Sequence, residues 1–266
     1  MNMSLDHALV ERTTSPPMDL SGMPEAFQRA YGPTEPFEND FGELEMHDFV
    51  VLPYRGNRKI NPRSKGSTWI FSVWLDLQTQ TPRSYGFDSQ VEYHHTALTL
   101  LDPDVAQVQE QFGPIPFVDH EGKPANHYAD LMIIKKDGRK IAVAVKPTDR
   151  LESGRFIREL EALEKTKPAG VVDEIRLVTE TCIPRAGAFN AVMYQRFALC
   201  RDTAVETRLK DVLSSFSGDI PICDLAERCR AGGRAFRPIV RGLFEGQLQK
   251  VSGGRINLFT MVRRLQ

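Results

Sequence analysis

The sequence predicts an α/β fold, a mixed sheet flanked by helices, followed by a small domain of three helices and a β-hairpin. Three observations predict it. Between residues 49 and 199, runs rich in β-branched and aromatic residues alternate with helical periods, the pattern of an α/β domain. Residues 128–134 and 140–145 read as two strands joined through Asp137-Gly138, a dipeptide suited to a tight hairpin because glycine takes positive φ without a steric penalty. After Leu199 the apolar spacing changes to i, i+3, i+4, i+7, the period of amphipathic helices.

The elements follow in order. Residues 1–40 are rich in Pro, Ser, Glu and Gly with no sustained period, and are expected to form a flexible N-terminal segment. An apolar patch at 49–52 precedes a basic stretch from Arg55 to Lys65, which leads into a predicted strand at 67–75. Ser89 and Glu92 have the spacing of a capping box and open a helix. Ala97, Leu98 and Leu101 line its inner face, and Asp102-Pro103 ends it. Residues 105–117 read as a strand broken by prolines. In the hairpin's return strand, Ile141, Val143 and Val145 share one face, and Ala142, Ala144 and Lys146 the other. Phe156, Leu160 and Leu163 mark the next helix, 174–179 a further strand and 190–197 a further helix. This first domain covers residues 41–200.

In residues 201–266, Val205, Leu209, Val212, Leu213 and Phe216 lie on one helical face. Ile222, Leu225, Ala226 and Cys229 lie on a second. A third helix runs to Glu245, with Pro238 in its first turn and Gly246 as its cap. Residues 248–251 and 255–259, joined by Ser252-Gly253-Gly254, complete a hairpin. Three short helices and a hairpin describe a small winged helix-turn-helix domain.

Bulk chemistry narrows the function. Lys and Arg total 34 against 35 Asp and Glu, so the chain is no polycation that coats nucleic acid, and any DNA contact must come from a local patch. No stretch is apolar for long enough to span a membrane, and the first residues lack a signal pattern. Cys182, Cys200, Cys223 and Cys229 form no C-x-x-C pair, and are read as reduced, mostly buried thiols of a cytoplasmic protein.

The residues that carry chemistry are Glu92, Asp130 and Lys146. Phosphodiester hydrolysis needs a metal to polarise the phosphate, and hard oxygen ligands suit Mg²⁺ or Mn²⁺. Asp130 heads the hairpin on the strand face that carries Ala144 and Lys146. Glu92 reaches the same place if its helix packs over the sheet. The candidate metal ligands are Glu92, Asp130 and the backbone carbonyl of Val145, with Lys146 stabilising transition-state charge. Each residue has a plainer reading: Glu92 as a helix cap, Asp130 as a strand-edge acid, Lys146 as a solvated strand end. The ordered set on a shared strand face favours a site.

Carboxylate, carboxylate and a closing Ala144-Val145-Lys146 resemble the working parts of the PD-(D/E)xK nucleases, whose fold is the restriction-endonuclease-like mixed sheet. Residues 87–111, reading FDSQVEYHHTALTLLDPDVAQVQEQ, resemble the segment of TnsA-type transposon endonucleases that reads S-x-x-E, a helix, a D-P-D-V turn and a strand ending E-Q. His127-Tyr128-Ala129-Asp130 resembles that family's T-P-D, and Ala144-Val145-Lys146 its closing E/Q-V-K. The resemblance spans about residues 84–197, and a C-terminal winged helix extends it. It implies one half of a heteromeric transposase that cuts DNA at transposon ends. The partners it implies are a strand-transfer transposase subunit and an ATPase regulator of transposition.

Ala144 departs from the pattern, because a methyl group cannot ligate metal. Three readings follow. Glu92, Asp130 and the Val145 carbonyl hold the metal alone; a carboxylate from the next helix, Glu152 or Glu159, takes over; or the domain is a catalytically degenerate nuclease fold that binds DNA or scaffolds a transposition complex. In the C-terminal domain, Arg237 and Arg241 share a helical face and Arg255 lies on the expected wing, which suits contact with DNA or with a protein partner.

Overall fold

In a computed structural model, the structure describes residues 50–60 and 70–265. The flexible segment expected at 1–40, Phe49 and part of the basic stretch lie outside them. The described residues belong to one compact unit.

The chain is α/β, with a mixed four-stranded sheet in the order β3-β4-β5-β6. β3 (Val105–Val118), β4 (Pro124–Lys135) and β5 (Lys140–Val145) run antiparallel in succession, and β6 (Glu174–Val178) runs parallel to β5. The β4–β5 turn works as its residues predict. Gly138 takes φ 90°, and the Asp137 carboxylate accepts the Arg139 N–H at 3.0 Å. The parallel step from β5 to β6 needs a crossover, which α2 (Arg155–Thr166) supplies.

Alternation along β5 divides the core as the sequence reads it. Ile141, Val143 and Val145 pack on one face with α1 (Gln90–Thr99) and α3 (Arg185–Ala198), while Ala142 and Ala144 pack with Leu160 and Leu163 of α2 on the other. The first face is closed by a hairpin, β1 (Ile70–Leu75) and β2 (Pro82–Phe87). Its Trp74, Tyr85 and Phe87 join Tyr93 of α1 in an aromatic cluster, with Trp74 and Tyr93 centroids 5.0 Å apart. Burying each such side chain contributes about 1.5–3 kcal/mol.

β2 is not predicted from the sequence, because proline, arginine and glycine interrupt its pattern. Arg83 explains why it forms: it is wholly buried and held by acids. Its guanidinium donates to both Glu110 oxygens at 3.0 Å and to the Val108 carbonyl at 3.1 Å, and lies 3.1 Å from Asp76. Tyr85 stacks on it at 3.6 Å. A buried charge survives only when paired in this way. β3 spans the expected residues and one more, and its ladder with β4 slips between Phe112 and Ile115, at the first of its prolines.

The C-terminal part runs α4 (Thr203–Ser214), β7 (Asp219–Pro221), α5 (Ile222–Arg228), α6 (Phe236–Phe244), β8 (Leu248–Lys250) and β9 (Met261–Arg264). Its three strands form an antiparallel sheet in the order β7-β9-β8. The return strand of the hairpin is therefore β9, not residues 255–259. Those residues are drawn into other contacts: Asn190 of α3 takes the Ile256 N–H at 2.8 Å, and Asn257 and Thr260 close a turn on each other.

Candidate active site

Asp130 lies one residue before Leu131, which pairs with Val143 as the last step of the β4–β5 ladder. Beyond that step the strands part, and a backbone donor on β5 needs another acceptor. Asp130 supplies it: the Val145 N–H donates to Asp130 Oδ2 at 2.7 Å. Lys146 follows, with its Nζ 4.9 Å from the centroid of the Phe156 ring on α2. Burial raises the Asp130 carboxyl above its ordinary range, and Asp88 adds to the rise. The Val145 N–H, Lys146 and His127 offset part of it.

Glu92 comes from the opposite face of the sheet, since α1 packs over Val143 and Val145 rather than over Ala144. It completes the helix cap and also lies within electrostatic range of Asp130. The Glu92 N–H donates to Ser89 Oγ at 3.2 Å, and the Ser89 hydroxyl donates back to Glu92 Oε1 at 2.9 Å. Glu92 Oε2 accepts the Asp88 N–H at 3.0 Å and the Gln111 side-chain amide at 3.2 Å. Burial, then the negative charge of Asp130, push the Glu92 carboxyl up to about 8. Asp130 is thus the common neighbour: its charge raises Glu92, and the charge of Lys146 offsets part of its own rise.

Two residues that hold this arrangement take no role in the sequence reading, although Gln111 closes the E-Q of residues 87–111. Gln111 is wholly buried, with φ 48° at an irregular point of β3. Arg58 donates to its Oε1 and to Asp88 Oδ2 at 3.0 Å. With its oxygen occupied by Arg58, the Gln111 amide nitrogen faces Glu92. The pairing joins residues 53 positions apart, so no local spacing reveals it. On the α2 side, His127 Nδ1 lies 3.0 Å from Glu159 Oε1, and this contact, with Lys146 and Arg155 nearby, holds the Glu159 carboxyl below its usual range. Glu152 is exposed beyond the short turn before α2.

Ala144 is 1% exposed and fills the layer between the sheet and α2. Among the described residues, no group of three or more His, Cys, Asp and Glu side chains is arranged to hold a metal. Mg²⁺ commonly takes one or two carboxylates and keeps several waters. Two neighbouring acids, one of them raised by the other's charge, fit such a cation. They do not form an all-protein cage, because three donors already occupy the Glu92 oxygens.

The C-terminal arginines divide. Arg241 is not available to DNA or to a partner, which corrects the expectation for it. It is 1% exposed, donates to the carbonyls of Phe197 at 3.1 Å and Cys200 at 2.6 Å, and pairs with Glu206. It fastens α6 to the end of α3. Arg237 is exposed, 6.0 Å from the Phe197 ring, and Arg255 is exposed on the β8–β9 connection, 4.6 Å from the Phe189 ring.

No family model and no curated protein matches this chain.

Proposed function

We propose that the chain is a TnsA-like endonuclease subunit that hydrolyses one DNA strand at the ends of a mobile element. The observation that carries this reading is Asp130 at the parting of β4 and β5, bonded to the Val145 N–H, with Glu92 and Lys146 in electrostatic reach. The residues that would hold Mg²⁺ or Mn²⁺ are Glu92, Asp130 and the Val145 carbonyl. When bound, the cation would polarise the phosphate and favour hydroxide over water. Lys146 offsets the negative charge that grows on the phosphate as the water oxygen bonds to phosphorus and the bond to the sugar oxygen breaks. Ser89, Asp88 and Gln111 fix the Glu92 carboxylate, so that little reorganisation is needed during reaction.

The order α4-β7-α5-α6-β8-β9, with β7 and β8 flanking β9, supports a winged-helix reading of residues 201–266. A cytoplasmic, bacterial subunit acting beside a strand-transfer transposase and an ATPase regulator is the setting this reading implies. No helix among the described residues is long and apolar enough to cross a membrane.

Nicking of supercoiled plasmid in Mg²⁺ or Mn²⁺, with and without candidate transposase subunits, tests the reading. Wild type nicks, and Asp130→Ala and Lys146→Ala do not. A second reading, a degenerate nuclease fold that binds or scaffolds, is favoured by the buried methyl of Ala144. Nicking that is equal in wild type and Asp130→Ala, or absent under every condition, selects it.

A further inference from the structure

The overall charge is close to neutral, yet the acids are unevenly placed. Between Thr181 and Arg201 there is no Asp or Glu, and between Arg228 and Gln266 the only one is Glu245. The fold brings these two stretches together. Tyr194 and Phe197 of α3 pack on Phe244 and Phe236 of α6, with centroids 4.8 and 6.0 Å apart, and Asn190 holds the β8–β9 connection through Gly254 and Ile256. The exposed side of α3 and its borders therefore carry more arginines than acids, and the one acid of these two stretches, Glu245, pairs with Arg201 at 3.2 Å.

Helical geometry aligns them. At about 100° per residue, Arg196 returns to within about 20° of Arg185, and Phe189 lies about 40° away. Arg185 and Arg196 stand about 17 Å apart along the axis at 1.5 Å per residue, which matches about five base pairs of duplex. Arg255 reaches in over Phe189, and Arg237 borders the stripe at Phe197, about 100° round the helix from Arg196. All four arginines are exposed, and among the described residues none of them forms an ion pair, whereas Arg201, Arg234, Arg241 and Arg263 in the same stretches do. Phe189 is 40% exposed and lies at the centre of the stripe.

We propose that Arg185, Arg196, Arg237 and Arg255 form a track for the sugar-phosphate backbone of duplex DNA, built jointly by α3 and the C-terminal part. The track reads phosphate rather than sequence. In α6, where a helix-turn-helix protein would present its reading residues, Arg237 is the one exposed side chain; Pro238 to Gly242 are buried. A helix covered in this way cannot enter a major groove. Exposed arginines with no ion pair among the described residues supply the sequence-independent electrostatic part of binding. α3 packs beside α1, which carries Glu92, so the bound duplex and the candidate active site are held by the same pair of helices. The choice of DNA as occupant rests on the endonuclease reading.

The test is equilibrium binding of the full chain to a short fluorescein-labelled duplex in EDTA, across a salt series, so that binding is read apart from cleavage. Replacing all four arginines with alanine is expected to weaken binding and to reduce the salt slope by about 3–4, at about 0.9 for each phosphate that an arginine no longer neutralises. Two duplexes of unrelated sequence should respond alike. A control with the same charge change elsewhere, Lys123, Arg139, Lys165 and Lys210 to alanine, should leave the slope unchanged. An unchanged slope in the four-arginine variant, or a wild-type chain that does not bind duplex, overturns the proposal. Binding to poly-glutamate that falls while duplex binding holds would assign the surface to an acidic protein and overturn it equally. A chain that binds DNA along this track but does not nick would fail the endonuclease reading and leave the track standing.

Discussion

Gln111 can hold Glu92 because Arg58 holds Gln111. The amide has one oxygen and one nitrogen to place, and Arg58 takes the oxygen. Replacing Gln111 with leucine keeps the volume and removes both bonds. Loss of a partner that orients a metal ligand typically costs 10–100-fold in metal affinity or activity. Gln111→Leu is therefore expected to lower Mn²⁺ affinity by ~10–100-fold, measured by calorimetry on a variant whose circular dichroism matches wild type; unchanged affinity would remove Gln111 from the support of the site. His95 carries a different prediction. Burial, with Arg176 adding to it, lowers its pKa to about 4, and its Nε2 has no hydrogen-bond partner. The unfolded chain takes up this proton below about 6.5, and the fold resists it until about 4. The stability that depends on neutral His95 is thus fully present above about pH 6.5 and is lost as pH falls to about 4. Urea midpoints across this range should fall less steeply for His95→Phe than for wild type.

At the scale of elements, β5 is the strand on which the reading turns. It is central to the sheet, so both faces are covered, and a side chain at position 144 must fit under α2. Ala144→Glu would add a hard oxygen on the Asp130–Lys146 side and would also overpack the layer formed with Leu160 and Leu163. Overpacking costs about 1–3 kcal/mol. The variant is expected to melt below wild type without metal and to regain part of the loss in Mn²⁺, where wild type changes less. A melting temperature that Mn²⁺ leaves unmoved places position 144 outside the metal's surroundings. The strand and its alternation were legible because Val and Ile at every second position have no other use in so short a segment. β2 was not, because the first of its inward residues is the charged Arg83, whose acids lie at Asp76 and Glu110.

For the whole molecule, the decisive packing is between α3 and α6. Phe197, Met193 and Phe236 share the apolar core of the C-terminal part, and Arg241 ties the two helices through main-chain carbonyls. A fragment of residues 203–266 leaves that face of α6 bare and strands Arg241 without the Phe197 and Cys200 acceptors. It is expected to be less helical and to unfold less cooperatively than a fragment of residues 183–266, which keeps α3. Equal unfolding curves by circular dichroism would show that the C-terminal part needs nothing from α3.

The sequence by itself determined the α/β class, the β4–β5 hairpin and its faces, the cap that starts α1, and the helices that follow Leu199. These rest on interactions between residues close together in the chain, whose period and turn chemistry are written locally. The electrostatic contact of Glu92 with Asp130, the support of Glu92 by Gln111 and Arg58, the burial of Arg241 and the arginine-rich surface along α3 were decided only by the tertiary structure. Each depends on which distant segments meet, and on whether a charged side chain meets water or a buried partner when they do. An arginine spaced for a helical face reads the same in sequence whether that face is solvated, as at Arg237, or covered, as at Arg241.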